Sequence, residues 1–587
     1  MKRLLLLIPL FLLLLIPLLW RVLVSKNLET AVTAYQQGNY EAALSGLRPL
    51  AERGYEDAQF TLGRMYDQGQ GIPEDDSQAA TWYRKAAEQG HVGAQFQLGR
   101  LYIQGRGVPQ DEQEAARWYQ KAAEQGHGDA QFALGWLYSQ GRGVPLDDQQ
   151  AVTWYRKAAE QGDAAAQNSL GWMYAQGRGV TQNDQEALAW YRKAAEQDNA
   201  PAQNSLGWMY AQGRGVPQHD QEALKWYLKA AEQDDAAAQN SLGWMYAQGR
   251  GVPKDDQEAA RWYRKAAEQG HAAAQNSLGW LYAQGLGVPQ NDQEAVAWYR
   301  KAAEQDYAAA QNSLGWMYAQ GQGLPRDDAA AVEWYRKAAD QGNPLAQANL
   351  GWMYAQGRGA PQDDAAAVDW YRKAAEQGNI TAYNNLGLMY AQGRGVPQDD
   401  QLALEWYRKA ADQGSALAHY NIGLMYEEGR GVPKDDQLAL EWYQKAADQG
   451  YAEAQFNLGW RYAQGQGVPK DDALAMAWYR KAADQGDALA QFNLGLMYAQ
   501  GRGAPKDDQL AVEWYRKAAK QGNAEAQFNL GVRYYQGQGV PKNDIQAYRY
   551  WNLAAAQGNR QAIRNRDLLA QRLTPEQIKE AQTLSRD

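Results

Sequence analysis

The chain contains no cysteine, seven phenylalanines and five histidines in 587 residues. Without thiols there is no disulfide, thiolate nucleophile, Cys-ligated zinc, iron–sulfur cluster or lipidated N-terminal cysteine. Five scattered histidines leave no multi-histidine site. Charge is not concentrated either: 59 Lys+Arg against 68 Asp+Glu give a net charge of −9, and no basic block is available for nucleic acid phosphates. A long apolar run occurs only at the N-terminus. What is abundant is tryptophan, 23 residues, alongside 37 tyrosines and 58 glycines. Trp outnumbering Phe threefold is the imbalance produced by copying one short unit.

Lys2 and Arg3 precede an apolar stretch from Leu4 to Trp20 that includes Pro9 and Pro17. At 1.5 Å per residue it spans ~26 Å, and ~31 Å with Arg21 to Val24 and a snorkelling arginine, enough to cross a bilayer. No A-x-A-like triplet follows closely, and the nearest small-residue option, Val32-Thr33-Ala34, falls in the first expected helix. The segment therefore reads as an uncleaved anchor, with a cleaved secretory signal as the alternative. Lys2 and Arg3 place the N-terminus inside. In a bacterial cell this predicts a single-pass inner-membrane protein with a periplasmic body, or a secreted one after cleavage.

Ala58-Gln59-Phe60 recurs as Ala94-Gln95-Phe96 and Ala130-Gln131-Phe132, and the alanine returns every 36 residues up to Ala562 without insertion or deletion. The expected division is an anchor at 1–26, an N-terminal capping helix pair at 27–57, fourteen units at 58–561 and C-terminal capping helices at 562–587. In the unit at 238–273, Ala238, Leu242, Met245 and Tyr246 form one apolar stripe at helical spacing, predicting a first helix, A, to about Gln248. Gly249-Arg250-Gly251-Val252-Pro253 ends it. Asp255 is placed to N-cap a second helix, B, with Glu258 as its capping-box partner, and Gly270 closes that helix. Asp198, Asp234 and Asp306 replace this glycine in three units, predicting less stable helix ends. Ala259, Trp262, Tyr263, Ala266 and Ala267 form the apolar face of helix B. At the C-terminus, Thr574-Pro575-Glu576-Gln577 is a capping box opening a last helix.

The pattern A-x-x-x-L-G-x-M-Y-x-x-G-x-G-V-P-x-D-x-x-x-A-x-x-W-Y-x-x-A-A-x-Q-G, seen from Ala238 to Gly270, resembles the Sel-1-like repeat, a relative of the tetratricopeptide repeat. The resemblance implies an all-α fold, a right-handed α-solenoid superhelix of stacked antiparallel helix pairs that serves as a protein-binding scaffold with helix A on the concave side. Penicillin binding or hydrolysis is associated with the family's cysteine-rich secreted branch. This chain lacks the cysteines of that branch.

With the first Ala of helix A at 0°, the positions two and six residues on fall near 200° and 240°, away from the apolar stripe. They carry Asn168, Trp172, Asn204, Trp208, Asn240, Trp244, Asn276, Trp280, Asn312 and Trp316 as successive pairs, with further sixth-position tryptophans at Trp136, Trp352 and Trp460. Aromatic area beside an amide suits a peptide backbone or a sugar ring. Packing of these rings between adjacent A helices as core is the alternative. Two functions follow: a membrane-anchored scaffold gripping a partner polypeptide, or a binder of cell-envelope glycan, peptidoglycan or exopolysaccharide. No catalytic residue, metal site, cofactor or nucleic acid partner is expected. The Asp-Asp pairs, such as Asp255-Asp256, read as N-caps with first-turn acids. His91, His127 and His271 read as surface residues, one per unit. Arg106, Arg142, Arg178, Arg214 and Arg250 read as solvated turn residues, with an exposed basic edge for an anionic partner as a second reading. Trp262 and its equivalents on helix B read as core.

Overall fold

The repeat at 236–271 shows how local sequence sets the architecture. Asp235 caps helix A, its side chain accepting the Ala238 N–H, and the helix runs Ala236–Gln248. It stops at Gly249, whose φ of +66° is left-handed. Asp255 then caps helix B, Asp256–Glu268, by accepting the N–H groups of Gln257 and Glu258. Glu258 does not complete a capping box. The Asp255 N–H already donates to the Tyr246 carbonyl at 3.0 Å, so Glu258 turns to Arg261 instead, at 3.3 Å. Helix B closes through Gly270 at φ +89°, whereas Asp198, Asp234 and Asp306 hold the same bend at +59°, +61° and +58°.

The structure, a computed structural model, describes residues 25–585. Segment 1–24, and with it the expected anchor span, lies outside them. Among the described residues there is no strand, and no helix is long and apolar enough to cross a membrane. The chain forms an all-α solenoid of paired helices that divides into two units, 1–302 and 303–587. Within each unit helix A packs on its own helix B, as Ala236–Gln248 on Asp256–Glu268, and helix B packs on the next helix A, as Asp256–Glu268 on Ala272–Gln284. The first unit begins with helices at 25–36 and Tyr40–Glu52. The second ends with Arg560–Ala570 and Pro575–Leu584, the latter opened by a reciprocal capping box between Thr574 and Gln577.

The core repeats with the sequence. Ala238, Leu242 and Met245 of helix A pack with Ala223, Tyr227, Ala230 and Ala231 of the preceding helix B, and Ala259, Tyr263, Ala266 and Ala267 of helix B pack with Ala274, Leu278 and Leu281 of the next helix A, all buried. Gly243 lies against the Tyr263 ring: a Cβ there would sit 2.6 Å from Cδ1, so the glycine makes room for the tyrosine. Trp118 and Trp154 are buried as expected, but Trp262 is only half-buried, correcting its core assignment. Tyr263 occupies the inward position, and Lys265 covers the outer indole with Nζ 4.5 Å from the ring. One polar row runs through the core. Gln239 donates to the Ala231 carbonyl at 3.3 Å and accepts from Gln269 at 2.8 Å, and equivalent bonds recur at Gln59, Gln95, Gln131, Gln167 and Gln203. These amides satisfy buried carbonyls between consecutive repeats.

His91, His127 and His271 are half-buried N-caps of helix A rather than free surface groups. Their Nδ1 atoms accept from the N–H groups of Ala94, Ala130 and Ala274 at 3.0, 3.3 and 3.2 Å, which requires a neutral ring. Burial pushes the pKa of His127 and His271 down. The unfolded value is about 6.5, so below that pH the unfolded chain binds more protons than the folded one. Nothing is lost above about pH 6.5, and stability declines as pH falls through it. Thermal melts are expected to show Tm falling between pH 7 and 5. The slope is expected to be shallower in His127→Asn/His271→Asn, which installs the cap found at Asn199 and Asn343. Equal slopes in the two proteins would remove the histidines from this role.

Candidate functional site

Helix A turns its sixth position outward because Ala, Leu and Met occupy every inward place. The rings of Trp136, Trp172, Trp208, Trp244 and Trp280 in the first unit are between 36 % and 49 % exposed, which overturns the core alternative for them. In the second unit Trp316, Trp352 and Trp460 are similarly exposed.

Each of the first four rings carries a guanidinium. Arg142, Arg178, Arg214 and Arg250, from the following turn, stand 5.0–5.3 Å from the ring centroids of Trp136, Trp172, Trp208 and Trp244. The same arginines reach back to the first helical residue of the preceding helix B. Arg178 donates to Asp148 through Nε at 2.9 Å and Nη2 at 2.6 Å, and Arg250 to Asp220 at 3.1 and 2.5 Å. Arg214 binds Asp184 in the same way, and Arg142 directs both Nε and Nη2 to one oxygen, Oε1, of Glu112. Arg106 pairs with Asp76. The exposed basic edge therefore does not exist: each of these charges is neutralised by a carboxylate of the preceding repeat's helix B. The second acid of the Asp-Asp pair is the arginine's partner as well as a first-turn residue. Hydrogen bonding to Arg250 holds the Asp220 carboxyl below its ordinary range, and Arg394 and Arg502 do the same to Asp364 and Asp472.

Between successive A helices of the first unit the face opens into a cleft of about 300 Å³ lined by Trp136 and Trp172, with Asn168, Ser139, Ser169, Tyr155 and Ser205 among its polar groups. Three repeats contribute to it. The Asn168 Oδ1 atom is buried with no hydrogen-bond partner, and so is that of Asn240. Asn204 Oδ1 stands 3.5 Å from Ser241 Oγ, at the limit of a hydrogen bond. Asn276 is half-buried. In the second unit Asn312 Oδ1 accepts from Asn349 at 3.0 Å, beside Trp316 in its helix. The first unit thus brings Asn168 together with two tryptophans across one cleft. The remaining predicted residues repeat along the face without sharing that cavity.

The paired arginines recur with the sequence period, and residues 56–559 match the Sel1 repeat fourteen times in succession. The chain belongs to the Sel1 repeat family. A protective antigen of uropathogenic Escherichia coli displaying an SLR fold, known from its crystal structure, is 41 % identical over 74 % of this chain and 93 % of its own, with a TM-score of 0.53. A Sel1 repeat protein from Oxalobacter formigenes is 34 % identical over 56 % of this chain and 93 % of its own, with a TM-score of 0.41. No curated protein matches the chain.

Sequence reasoning named the Asn and Trp positions of these Sel1 repeats but missed Ser139, Ser169, Ser205 and Tyr155, which complete the cleft. It also missed the arginine–carboxylate pairing. The signal was present: the turn arginine follows its acid at one constant spacing, as Arg178 follows Asp148 and Arg250 follows Asp220.

Proposed function

We propose that this chain is a non-enzymatic scaffold that grips a partner polypeptide on the helix-A face of its Sel1 repeats. The observation that carries the reading is the row of exposed tryptophans from Trp136 to Trp280, set beside asparagines of which two have an unpartnered amide oxygen. Where the rings carry arginines, those charges are neutralised, so the face offers aromatic area and amide hydrogen bonding to an uncharged backbone. The segment from Leu4 to Trp20 anchors the chain in the bacterial inner membrane, with the solenoid in the periplasm. Carbonate extraction checks this half of the proposal: an anchored chain stays in the membrane pellet.

The partner is sought by affinity capture from envelope extracts with the wild-type chain beside Trp208→Ala/Trp244→Ala. Loss of one defined polypeptide in the variant is expected. Its Tm should fall only moderately, with the cooperative transition retained: each ring is 39–40 % exposed, so some packing is lost along with a ring–arginine contact worth about 0.5–1 kcal/mol. Capture of cell-wall glycan instead, lost in the same variant, would transfer the face to the glycan reading. Unchanged capture, or a collapse of Tm, would end the proposal for this face.

A further inference from the structure

Within the first unit one repeat keeps the two walls of the arginine seat and lacks the arginine. In the second unit the repeat at 452–487 does the same, with Gln466 at the turn, Trp460 on helix A and Asp436 opening the preceding helix B. In the repeat at 272–307 the turn residue is Leu286, where the four preceding repeats have Arg142, Arg178, Arg214 and Arg250. Leu286 packs inward on the cluster containing Ala259, Tyr263 and Leu278. Asp256 still stands at the first position of the preceding helix B, and the cation paired with it is Lys254, on its own side of the repeat, with Nζ 3.5 Å away. Trp280 still projects from helix A and, with no arginine above it, is the most exposed tryptophan of the row. Four times in the same unit, this pairing of a helix-B carboxylate with a helix-A indole holds a guanidinium through two N–H groups on one side and against a ring on the other.

We propose that Asp256 and Trp280 form a receptor for an arginine side chain supplied by the bound polypeptide. The inference rests on the polypeptide reading of this face and makes it specific. The neutral tryptophan row takes the backbone, and the vacant seat takes one cation, fixing the register of the ligand. Charge complementarity selects the occupant: a carboxylate beside an indole face attracts a planar cation, and arginine matches both, as the chain's own arginines do in the adjacent repeats. Lysine, lacking the planar fork, fits less well.

The probe is the peptide acetyl-Gly-Arg-Gly-amide, followed by saturation-transfer NMR with the full chain, beside the same peptide carrying citrulline. Saturation of the arginine Cδ protons is expected. It should fall at least threefold with citrulline, with Leu286→Arg, which fills the seat from within, and with Asp256→Asn, which removes the anion while changing one surface atom. Should Leu286→Arg fail to fold, Asp256→Asn carries the comparison alone. Equal transfer to the arginine and citrulline peptides, or to wild type and Asp256→Asn, overturns the receptor, as does the absence of transfer from wild type. The two readings fail separately. If Trp208→Ala/Trp244→Ala abolishes partner capture while both seat variants leave transfer unchanged, the groove stands and the seat falls. If transfer depends on the seat while capture ignores the tryptophans, the seat stands without the groove.

Discussion

Glu427→Ala is expected to destabilise the second unit by about 3–5 kcal/mol, the usual consequence of leaving a buried charge without its partner. The stranded charge is Arg461. It occupies the helix-A position that Met245 holds elsewhere and is 1 % exposed. Its Nη2 lies 2.8 Å from Glu427 Oε1, while Glu427 Oε2 accepts from the Tyr443 hydroxyl at 2.5 Å. The guanidinium also stands 5.2 Å from the Tyr443 ring. Neither Nη of Arg461 is aligned for a hydrogen bond, so Coulomb attraction to Glu427 is what compensates for its burial. Burial and the Glu427 hydrogen bond push the Tyr443 phenol well above its ordinary range, so the phenol stays neutral. Removing both ends should restore most of the stability. Glu427→Ala/Arg461→Met recreates the Ala211 and Met245 pair that packs without charge in the first unit. Urea midpoints and local hydrogen exchange provide the measurement. A single variant as stable as wild type, or a double variant as unstable as the single, would show that the pair does not carry the burial of Arg461.

The same pair marks the boundary of what could be read without coordinates. The 36-residue period, the two helices and the Asp255 cap follow from residues close together in the chain, where helical geometry alone decides who meets whom. The Trp208 and Trp244 rings were placed off the apolar stripe by that geometry. Whether a neighbouring helix covers them is set between repeats, so both outcomes remained open. Gln239 lies next to Ala238 on the edge of the stripe, and its use depends on Ala231 in the preceding helix B and Gln269 at the end of the following one. Asp256 and Asp220 each open a helix B, and the turn residue of the next repeat, Leu286 or Arg250, decides which of them receives an arginine. Glu427 and Arg461 belong to successive repeats, and each repeat alone looks merely irregular. A repeat discloses its own hairpin, and the chemistry between hairpins emerges only when they are stacked.

That dependence on stacking makes Gly179 the second position where a small change should have a large effect. Gly177 and Gly179 bracket Arg178, and both have left-handed backbones, at φ +69° and +67°. Gly177 ends helix A. Gly179 does something further: a Cβ there would lie 2.2 Å from the Asp148 carbonyl oxygen and 2.4 Å from its carbon, both in the backbone opening the preceding helix B. A side-chain tip could swing aside, but a helix start whose carboxylate already binds Arg178 has no such freedom. Gly179→Ala must strain its own φ, push two repeats apart, or both, and is expected to cost about 3 kcal/mol or more. Gly162 provides the control. Its φ is +98° and a Cβ there meets nothing within 4 Å, so Gly162→Ala incurs backbone strain alone, about 1–2 kcal/mol. Because stability in such an array is a sum over neighbours, the damage should be local. Hydrogen exchange is expected to accelerate first at Asp148–Glu160 and Ala164–Gln176, the helices joined by the Arg178–Asp148 pair. Equal costs for the two alanines would mean that the close approach is soft, and that the glycine is kept for its backbone conformation alone.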